Sequence, residues 1–203
     1  MKCSFVGMNY LGHAYLSFNS PKILVGNMIS DFVKGRDKFV FSGNIQKGIE
    51  LHRYIDEFTD FHPVTKKAME VFRPHYRLYS APIMDILFDH FIANDPNLFT
   101  DTSLKEFTKS IYHQLENNST HLPNRFLQFL HYMKTEDWLY NYSHTEGIRK
   151  SLYGLTRRAR YLPEVDTAYK LFLDHYDYLK ECYYNFFPDV KQSAKQKFEE
   201  LVP

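Results

Sequence analysis

The chain has 203 residues, of which 44% are hydrophobic and 24% charged, so it is long enough to bury the core of one globular domain. The formal net charge of +1 provides no global field that would point to nucleic acid or to a membrane surface. Two distant cysteines, Cys3 and Cys182, form no disulfide framework, and no run of about 18 apolar residues is present to span a membrane. We therefore expect a cytoplasmic protein with a single domain over residues 1–203, in which 1–7 form an N-terminal extension.

Helical periodicity dominates the chain, since glycine is scarce and no alternating strand pattern recurs. Prolines and polar residues mark the helix boundaries, and loops are expected at 35–38, 94–97 and 117–123. In chain order the predicted helices are Leu11–Phe18, Pro21–Phe32, Ser42–Thr59, Pro63–Arg73, Pro82–Ala93, Ser103–Glu116, Arg125–Tyr140, Thr145–Arg160, Glu164–Phe187 and Asp189–Leu201. The pattern predicts an all-α fold, a single-domain helical bundle.

The helix predicted over Ser42–Thr59 carries chemistry on its apolar side. His52, Asp56 and Asp60 follow one another at four-residue steps and therefore stack along one helical face. A helical wheel places His52 and Asp56 inside the apolar arc and Asp60 at its edge. Because a buried unpaired carboxylate costs several kcal/mol, roughly, we expect a cation to meet this face.

A second helix, Pro82–Ala93, is apolar nearly all round and is therefore expected to be central. Asp85 and Asp89 share one of its faces, and His90 points away from their midpoint. Asp31 is a further carboxylate at the end of an apolar run. Mixed imidazole and carboxylate ligation suits a divalent ion of the Mn, Fe or Zn type, and such an ion can activate water against a phosphate ester.

Plainer interpretations of the same residues stay open. A histidine and an aspartate four residues apart often form only a local salt bridge. His62, before Pro63, fits a helix junction as well as the site, and His13, in an apolar segment, is read as a satisfied core histidine. The basic residues Lys34, Arg36 and Lys38 and the run Arg157, Arg158 and Arg160 fit either solvated helix ends or the docking of an acidic partner.

Several motifs together resemble the acyl carrier protein phosphodiesterase family over nearly the whole chain. They are Met8-Asn-Tyr-Leu-Gly-His13, Gly26-Asn-Met-Ile-Ser-Asp-Phe32, Gly48-Ile-Glu-Leu-His-Arg-Tyr-Ile-Asp56, Phe58-Thr-Asp-Phe-His-Pro63, Asp85-Ile-Leu-Phe-Asp-His-Phe91 and Leu152-Tyr-Gly-Leu-Thr-Arg-Arg158. That family is similar to the metal-dependent HD phosphohydrolases, although this chain has no His-Asp dipeptide. The resemblance implies an HD-phosphohydrolase-like helical fold and a divalent metal, usually manganese.

The resemblance also implies an activity, which is the removal of 4′-phosphopantetheine from holo-acyl carrier protein to give the apo protein. On this interpretation Asp31, His52, Asp56, Asp85 and Asp89 are the expected metal ligands. The expected catalytic residues are His52, Asp56, Asp89 and His90, with Asp60, His62 and Arg53 as supporting or phosphate-binding groups. Two alternatives remain: an HD-like phosphohydrolase of nucleotides or other small phosphate esters, and a helical protein that binds carrier protein without cutting it.

Overall fold

The computed structural model describes residues 10–156 and 163–203, and within these ranges the chain forms α-helices and short 3-10 segments without any strand. The helices are α1 (Tyr10–Tyr15), α2 (Pro21–Ile29), α3 (Gly43–Phe61), α4 (Pro63–Met69), α5 (Arg73–Tyr76), α6 (Ser80–Ala93), α7 (Asp101–Asn117), α8 (Asn124–Thr135), α9 (Trp138–Asn141), α10 (Thr145–Thr156), α11 (Asp166–Asp174) and α12 (Tyr176–Leu201). The 3-10 segments are Ser30–Phe32, Gly35–Val40, Arg77–Tyr79 and Ser119–His121. The predicted all-α class is confirmed.

Several helix boundaries differ from the prediction. Helices α1, α2 and α4 end three or four residues earlier than expected, at Tyr15, Ile29 and Met69. The helix expected over 125–140 is broken at Asp137, whose φ of 44° and ψ of 51° are left-handed. The helix expected to end before Pro188 instead continues through it, and the break lies at His175. An internal proline removes one helical hydrogen bond, but Phe187 and Val190 on either side of it are buried, and their packing offsets that loss.

Helices α2 and α3 pack closely because two glycines face each other. A Cβ built on Gly26 would lie 2.0 Å from the carbonyl oxygen of Ile45 and 2.8 Å from the Cα of Gly48. A Cβ on Gly48 would lie 2.3 Å from the carbonyl oxygen of Ile23. Since real side chains do not tolerate such distances, only glycine lets these two helices approach so closely. The contact brings the polar residues of α2 against the chemistry-bearing face of α3.

The helix predicted to be central, α6, is buried along most of its length. Helix α1 packs on α2 and α6, and α12 packs on α3 and α4. The residues of α3 that face this core, Ile45, Ile49, Leu51 and Ile55, are at most 1% exposed. Among the described residues, no helix is both long and apolar enough to cross a bilayer.

Candidate metal centre

Helix α3 presents His52 and Asp56 together, one turn apart. Nε2 of His52 lies 3.1 Å from Oδ2 of Asp56. The imidazole is 3% exposed, as its place in the apolar arc indicates, whereas the carboxylate is 44% exposed. The pair therefore has a buried side, formed by the imidazole, and a side that solvent or substrate can reach.

His13 completes the cluster from α1, and the sequence-based interpretation of it as a core histidine is incomplete. Its side chain is buried at 2% exposure, but its Nε2 lies 3.1 Å from Oδ1 of Asp56, and its ring stacks on that of His52 with centroids 3.8 Å apart. Asp31 approaches from the 3-10 segment, with Oδ1 3.4 Å from Nε2 of His52. His13 has no acidic partner at helical spacing, and its apolar surroundings favoured a structural interpretation. Its place in the Met8–His13 motif of the family resemblance is the signal that could have identified it.

Asn27 of α2 orients the His52 imidazole and was not identified from the sequence. Its Nδ2 donates to the carbonyl oxygen of His13 at 2.9 Å and to Oγ of Ser17 at 3.1 Å. With the amide oriented in this way, its Oδ1 faces Nδ1 of His52 at 3.2 Å and can only accept. Nδ1 of His52 must therefore carry a proton, which turns the lone pair of a neutral imidazole, on Nε2, toward the carboxylates.

The charges in the cluster are strongly coupled. Burial acts to lower the pKa of His52, but the charge of Asp56 and the contact with Asp31 outweigh it and raise that pKa to about 10. Burial and then the charge of His52 lower the pKa of His13. Burial opposes ionisation of Asp56, but the adjacent His52 prevails and lowers its pKa. In the absence of a cation, one imidazole is thus charged and the other neutral.

The cluster has the properties of a cation site. Nδ1 of His13 and Oδ2 of Asp31 are buried without a hydrogen-bond partner among the described residues, and Nε2 of His52 forms no well-angled hydrogen bond with either nearby carboxylate. One ligand atom each from His13, His52 and Asp56 lie within 4.8 Å of one another, the one such group of three within 10–156 and 163–203. Two imidazoles with carboxylates form a donor set that fits a divalent transition ion.

Two further carboxyl groups belong to the same electrostatic neighbourhood. Burial, followed by the charges of Asp56 and Asp60, raises the pKa of Asp85 well above its usual value. Burial and the charge of Asp56 raise the pKa of Asp60, which is exposed at the edge of α3. Burial is the main cause of both shifts, and the charge of Asp56 adds to each; a cation bound at the cluster would oppose that second contribution.

Asp89, expected from the sequence to be a ligand, makes different contacts. Its Oδ2 accepts from the backbone N–H of Leu11 at 2.9 Å and its Oδ1 from that of Gly12 at 2.8 Å. These are donors of the first turn of α1, which have no partners within their own helix. Asp89 is fully buried, and both its oxygens are engaged by α1. It thereby holds the short helix that carries His13.

His90 is likewise occupied away from the cluster. Its Nδ1 lies 2.7 Å from the carbonyl oxygen of Tyr142, to which it donates, and its Nε2 lies 3.1 Å from the hydroxyl of Tyr176. Burial lowers its pKa to about 4, so this imidazole is neutral near pH 7. The structure thus places the predicted catalytic His90 in a packing contact among α6, α12 and the α9–α10 connection.

The predicted supporting residues divide between the fold and the surface. His62 accepts from the N–H of Val64 with Nδ1 and caps α4, while its Nε2 lies 3.3 Å from Oδ2 of Asp189. Arg53 is exposed and donates to the carbonyl oxygen of Val33 at 3.1 Å. Neither contact reaches the imidazole cluster.

The predicted docking residues lie on a surface segment that follows Asp31. Lys34 and Arg36 are exposed, Lys38 is half-buried, and Phe39 and Val40 beside them are 61% and 81% exposed. The second predicted basic group, Arg157, Arg158 and Arg160, lies outside the described residues. Residues 34–40 therefore form a basic surface with two exposed apolar side chains, which we call the basic–apolar segment.

Nearly the whole chain is similar to one family of known proteins. A family model described as acyl carrier protein phosphodiesterase matches residues 8–190. Two relatives named acyl carrier protein phosphodiesterase are each 31% identical to this chain. For the relative from Enterobacter sp. strain 638 the match covers 94% of this chain and 99% of the relative, and for that from Pectobacterium atrosepticum it covers 93% and 98%, respectively. The relative from Yersinia pestis is 30% identical over 94% and 99%. No solved structure matches, and the expected likeness to HD phosphohydrolases stays a prediction.

Proposed function

The chain belongs to the acyl carrier protein phosphodiesterase family, and from that premise we propose that it hydrolyses the phosphodiester bond of holo-acyl carrier protein. The products would be free 4′-phosphopantetheine and the apo protein with its serine restored. The observation that carries the chemistry is the convergence of His13, His52 and Asp56 on one point. The cytoplasmic location expected from the cysteine pattern stays a prediction.

We propose that His13, His52 and Asp56 hold a divalent cation, with Asp31 beside His52. The buried atoms without hydrogen bonds and the mixed nitrogen and oxygen donor set support this assignment. Manganese, the ion implied by the family resemblance, belongs to the range that such donors accept. When bound, the cation would acidify a water molecule and polarise a phosphoryl oxygen.

The protein groups have separable roles in this proposal. Asn27 fixes the tautomer of His52, and the charge of Asp56, 44% exposed, faces the side from which substrate can enter. Asp89 acts at a distance, by holding α1 and with it His13. Asp85, whose pKa is raised well above its usual value by burial and then by the charges of Asp56 and Asp60, would be the carboxyl group that supplies a proton to the departing serine oxygen.

We further propose that the basic–apolar segment docks the carrier protein. It begins three residues after Asp31, so a partner bound there would be held next to the cluster. Its basic residues suit an acidic partner, and such peripheral charges act mainly on encounter rate and salt dependence. Phe39 and Val40, exposed side by side, supply apolar surface within the same segment that a bound partner could cover.

The test is to incubate the protein with Mn²⁺ and holo-carrier protein and to follow the loss of phosphopantetheine from the carrier by mass spectrometry. We expect turnover that chelation abolishes and Mn²⁺ restores, and that His13→Gln and Asp56→Asn both lack. Full turnover after chelation, or in both variants, would overturn the proposed site. If the protein hydrolyses nucleotides but not holo-carrier protein, the alternative of a small-ester phosphohydrolase is favoured. If it binds carrier protein and hydrolyses neither substrate, the alternative of a non-catalytic binding protein is favoured.

A matched histidine variant separates site from fold. His90→Asn preserves a donor toward Tyr142 and lies outside the cluster, so we expect it to keep the turnover that His13→Gln loses. Loss of turnover in a stably folded His90→Asn protein would instead support the sequence-based prediction that His90 is catalytic.

A further inference from the structure

A groove of about 680 Å³ lies between α8, α9 and α10, and nothing in the proposed chemistry uses it. Four aromatic side chains line it: Phe129, Tyr132, Trp138 and Tyr153. Tyr132 is 63% exposed and Tyr153 43% exposed, so they form an open rim, while Trp138 is half-buried deeper in the groove. Amide, hydroxyl, ammonium and carboxylate groups are interspersed among them, from Asn141, Ser151, Lys150 and Glu136.

The wall of this groove backs on to the metal centre. The ring of Phe129 packs against that of Phe32, with centroids 5.6 Å apart, and against that of Tyr10 at 5.1 Å. Phe32 directly follows Asp31, and Tyr10 begins the helix that carries His13. These contacts place the groove one layer of aromatic side chains away from the residues that flank the cluster.

Gly154 leaves the α10 wall of the groove without a side chain. It lies within α10 and lines the groove, and a Cβ placed on it would meet no atom of residues 10–156 and 163–203 within 4 Å. Glycine inside a helix is unfavourable relative to alanine, and here packing does not require it. Gly147 of the same helix differs, since its Cβ would lie 1.9 Å from the carbonyl oxygen of Asn141. The bare backbone at Gly154 leaves room for something from outside the chain.

We propose that this groove binds the pantetheine arm of holo-carrier protein during hydrolysis, an inference that rests on the proposed function. The arm is an extended chain in which apolar carbons alternate with two amides and a hydroxyl and which ends in a thiol. Aromatic walls with scattered hydrogen-bonding groups suit such an amphipathic chain. Binding an unreactive part of the substrate there orients the phosphodiester at the cluster.

The experiment uses Trp138, which is the only tryptophan of the sequence and lies in the groove. Free pantetheine is titrated into the full-length protein while the tryptophan fluorescence is followed, and we expect a saturable change. Gly154→Ala is expected to weaken this binding about 10-fold, the effect of one methyl group in a fitted pocket. Its KM for holo-carrier protein should rise by a similar factor, while hydrolysis of bis(p-nitrophenyl) phosphate, which has no arm, stays unchanged.

Two further variants keep the result interpretable. Gly43→Ala, at the start of α3 and outside the groove, also places its Cβ where no atom of the described part of the chain lies within 4 Å, and it should leave pantetheine binding intact. Tyr132→Ala, on the exposed rim, should weaken binding without affecting the melting temperature.

The outcomes separate the groove from the activity. Wild-type turnover of holo-carrier protein with no fluorescence response, and with unchanged KM in both groove variants, would overturn the groove assignment alone. A fluorescence response that Gly154→Ala weakens, in a protein that does not cleave holo-carrier protein, would support the groove and overturn the proposed function. Absence of both response and turnover would overturn both.

Discussion

The substitution Asp89→Asn tests whether Asp89 is a metal ligand, as the sequence pattern predicts, or an anchor for α1. The carboxylate accepts two backbone N–H groups, from Leu11 at 2.9 Å and from Gly12 at 2.8 Å, in a fully buried position. Asparagine has nearly the same shape but replaces one accepting oxygen by an NH₂ group. One hydrogen bond survives, and the other becomes a buried contact between two donors.

The expected loss of stability follows from these two bonds. Removing one partner of a buried hydrogen bond costs about 1–3 kcal/mol, and more when the lost acceptor is charged. We therefore expect Asp89→Asn to lower the free energy of unfolding by about 2–4 kcal/mol. The measurement is urea unfolding followed by circular dichroism, in chelator so that metal binding does not contribute.

The matched control is Asp56→Asn, which alters a carboxylate that is 44% exposed and within the cluster. It should abolish metal binding, measured by elemental analysis after dialysis, with a smaller loss of stability than Asp89→Asn. If Asp89→Asn instead keeps the wild-type unfolding free energy and loses the metal, the anchoring role is refuted and Asp89 returns to the ligand set.

Three further predictions concern the scaffold. Gly26→Ala forces a Cβ to 2.8 Å from the Cα of Gly48, so α2 and α3 must separate; we expect a loss of about 3 kcal/mol in urea unfolding, and wild-type stability would contradict the close crossing. Asn27→Ala should weaken Mn²⁺ binding about 10–100-fold, as measured by titration calorimetry, because the tautomer of His52 is no longer fixed. An unchanged affinity would show that Asn27 does not orient His52 for the metal. Because the pKa of His90 is lowered to about 4 by burial, the unfolded chain takes up its proton first as pH falls below about 6.5, and stability should drop by about 3 kcal/mol between pH 6.5 and 4. His90→Asn retains a hydrogen-bond donor to the carbonyl oxygen of Tyr142 but has no titrating imidazole, so its free energy of unfolding should fall less over this pH range. If the wild-type and His90→Asn proteins lose the same stability between pH 6.5 and 4, the assignment of the pH dependence to His90 is wrong.

The sequence alone was sufficient for the all-α class, for most helix boundaries and for the pairing of His52 with Asp56. These features are local: helical periodicity and prolines act within a few residues, and a four-residue step puts two side chains on one face whatever surrounds them. Pro188 shows where local rules fail, since a proline that ordinarily ends a helix is carried within α12 by the buried side chains around it.

Tertiary structure decided which residues meet that pair. His13 reaches the cluster because α1 packs on α2 and α6. Asp31, which follows α2, reaches it because α2 packs closely on α3, a contact that depends on one glycine in each of these two helices. For Asp89 the periodicity gave no direction, because α6 is apolar on nearly every side and the partners of its carboxylate are backbone amides, which every residue but proline carries. The spacing in the sequence thus determined that His52 and Asp56 lie together on the core-facing side of a helix. The packing of the helices determined which other side chains join them and which hold the cluster in place.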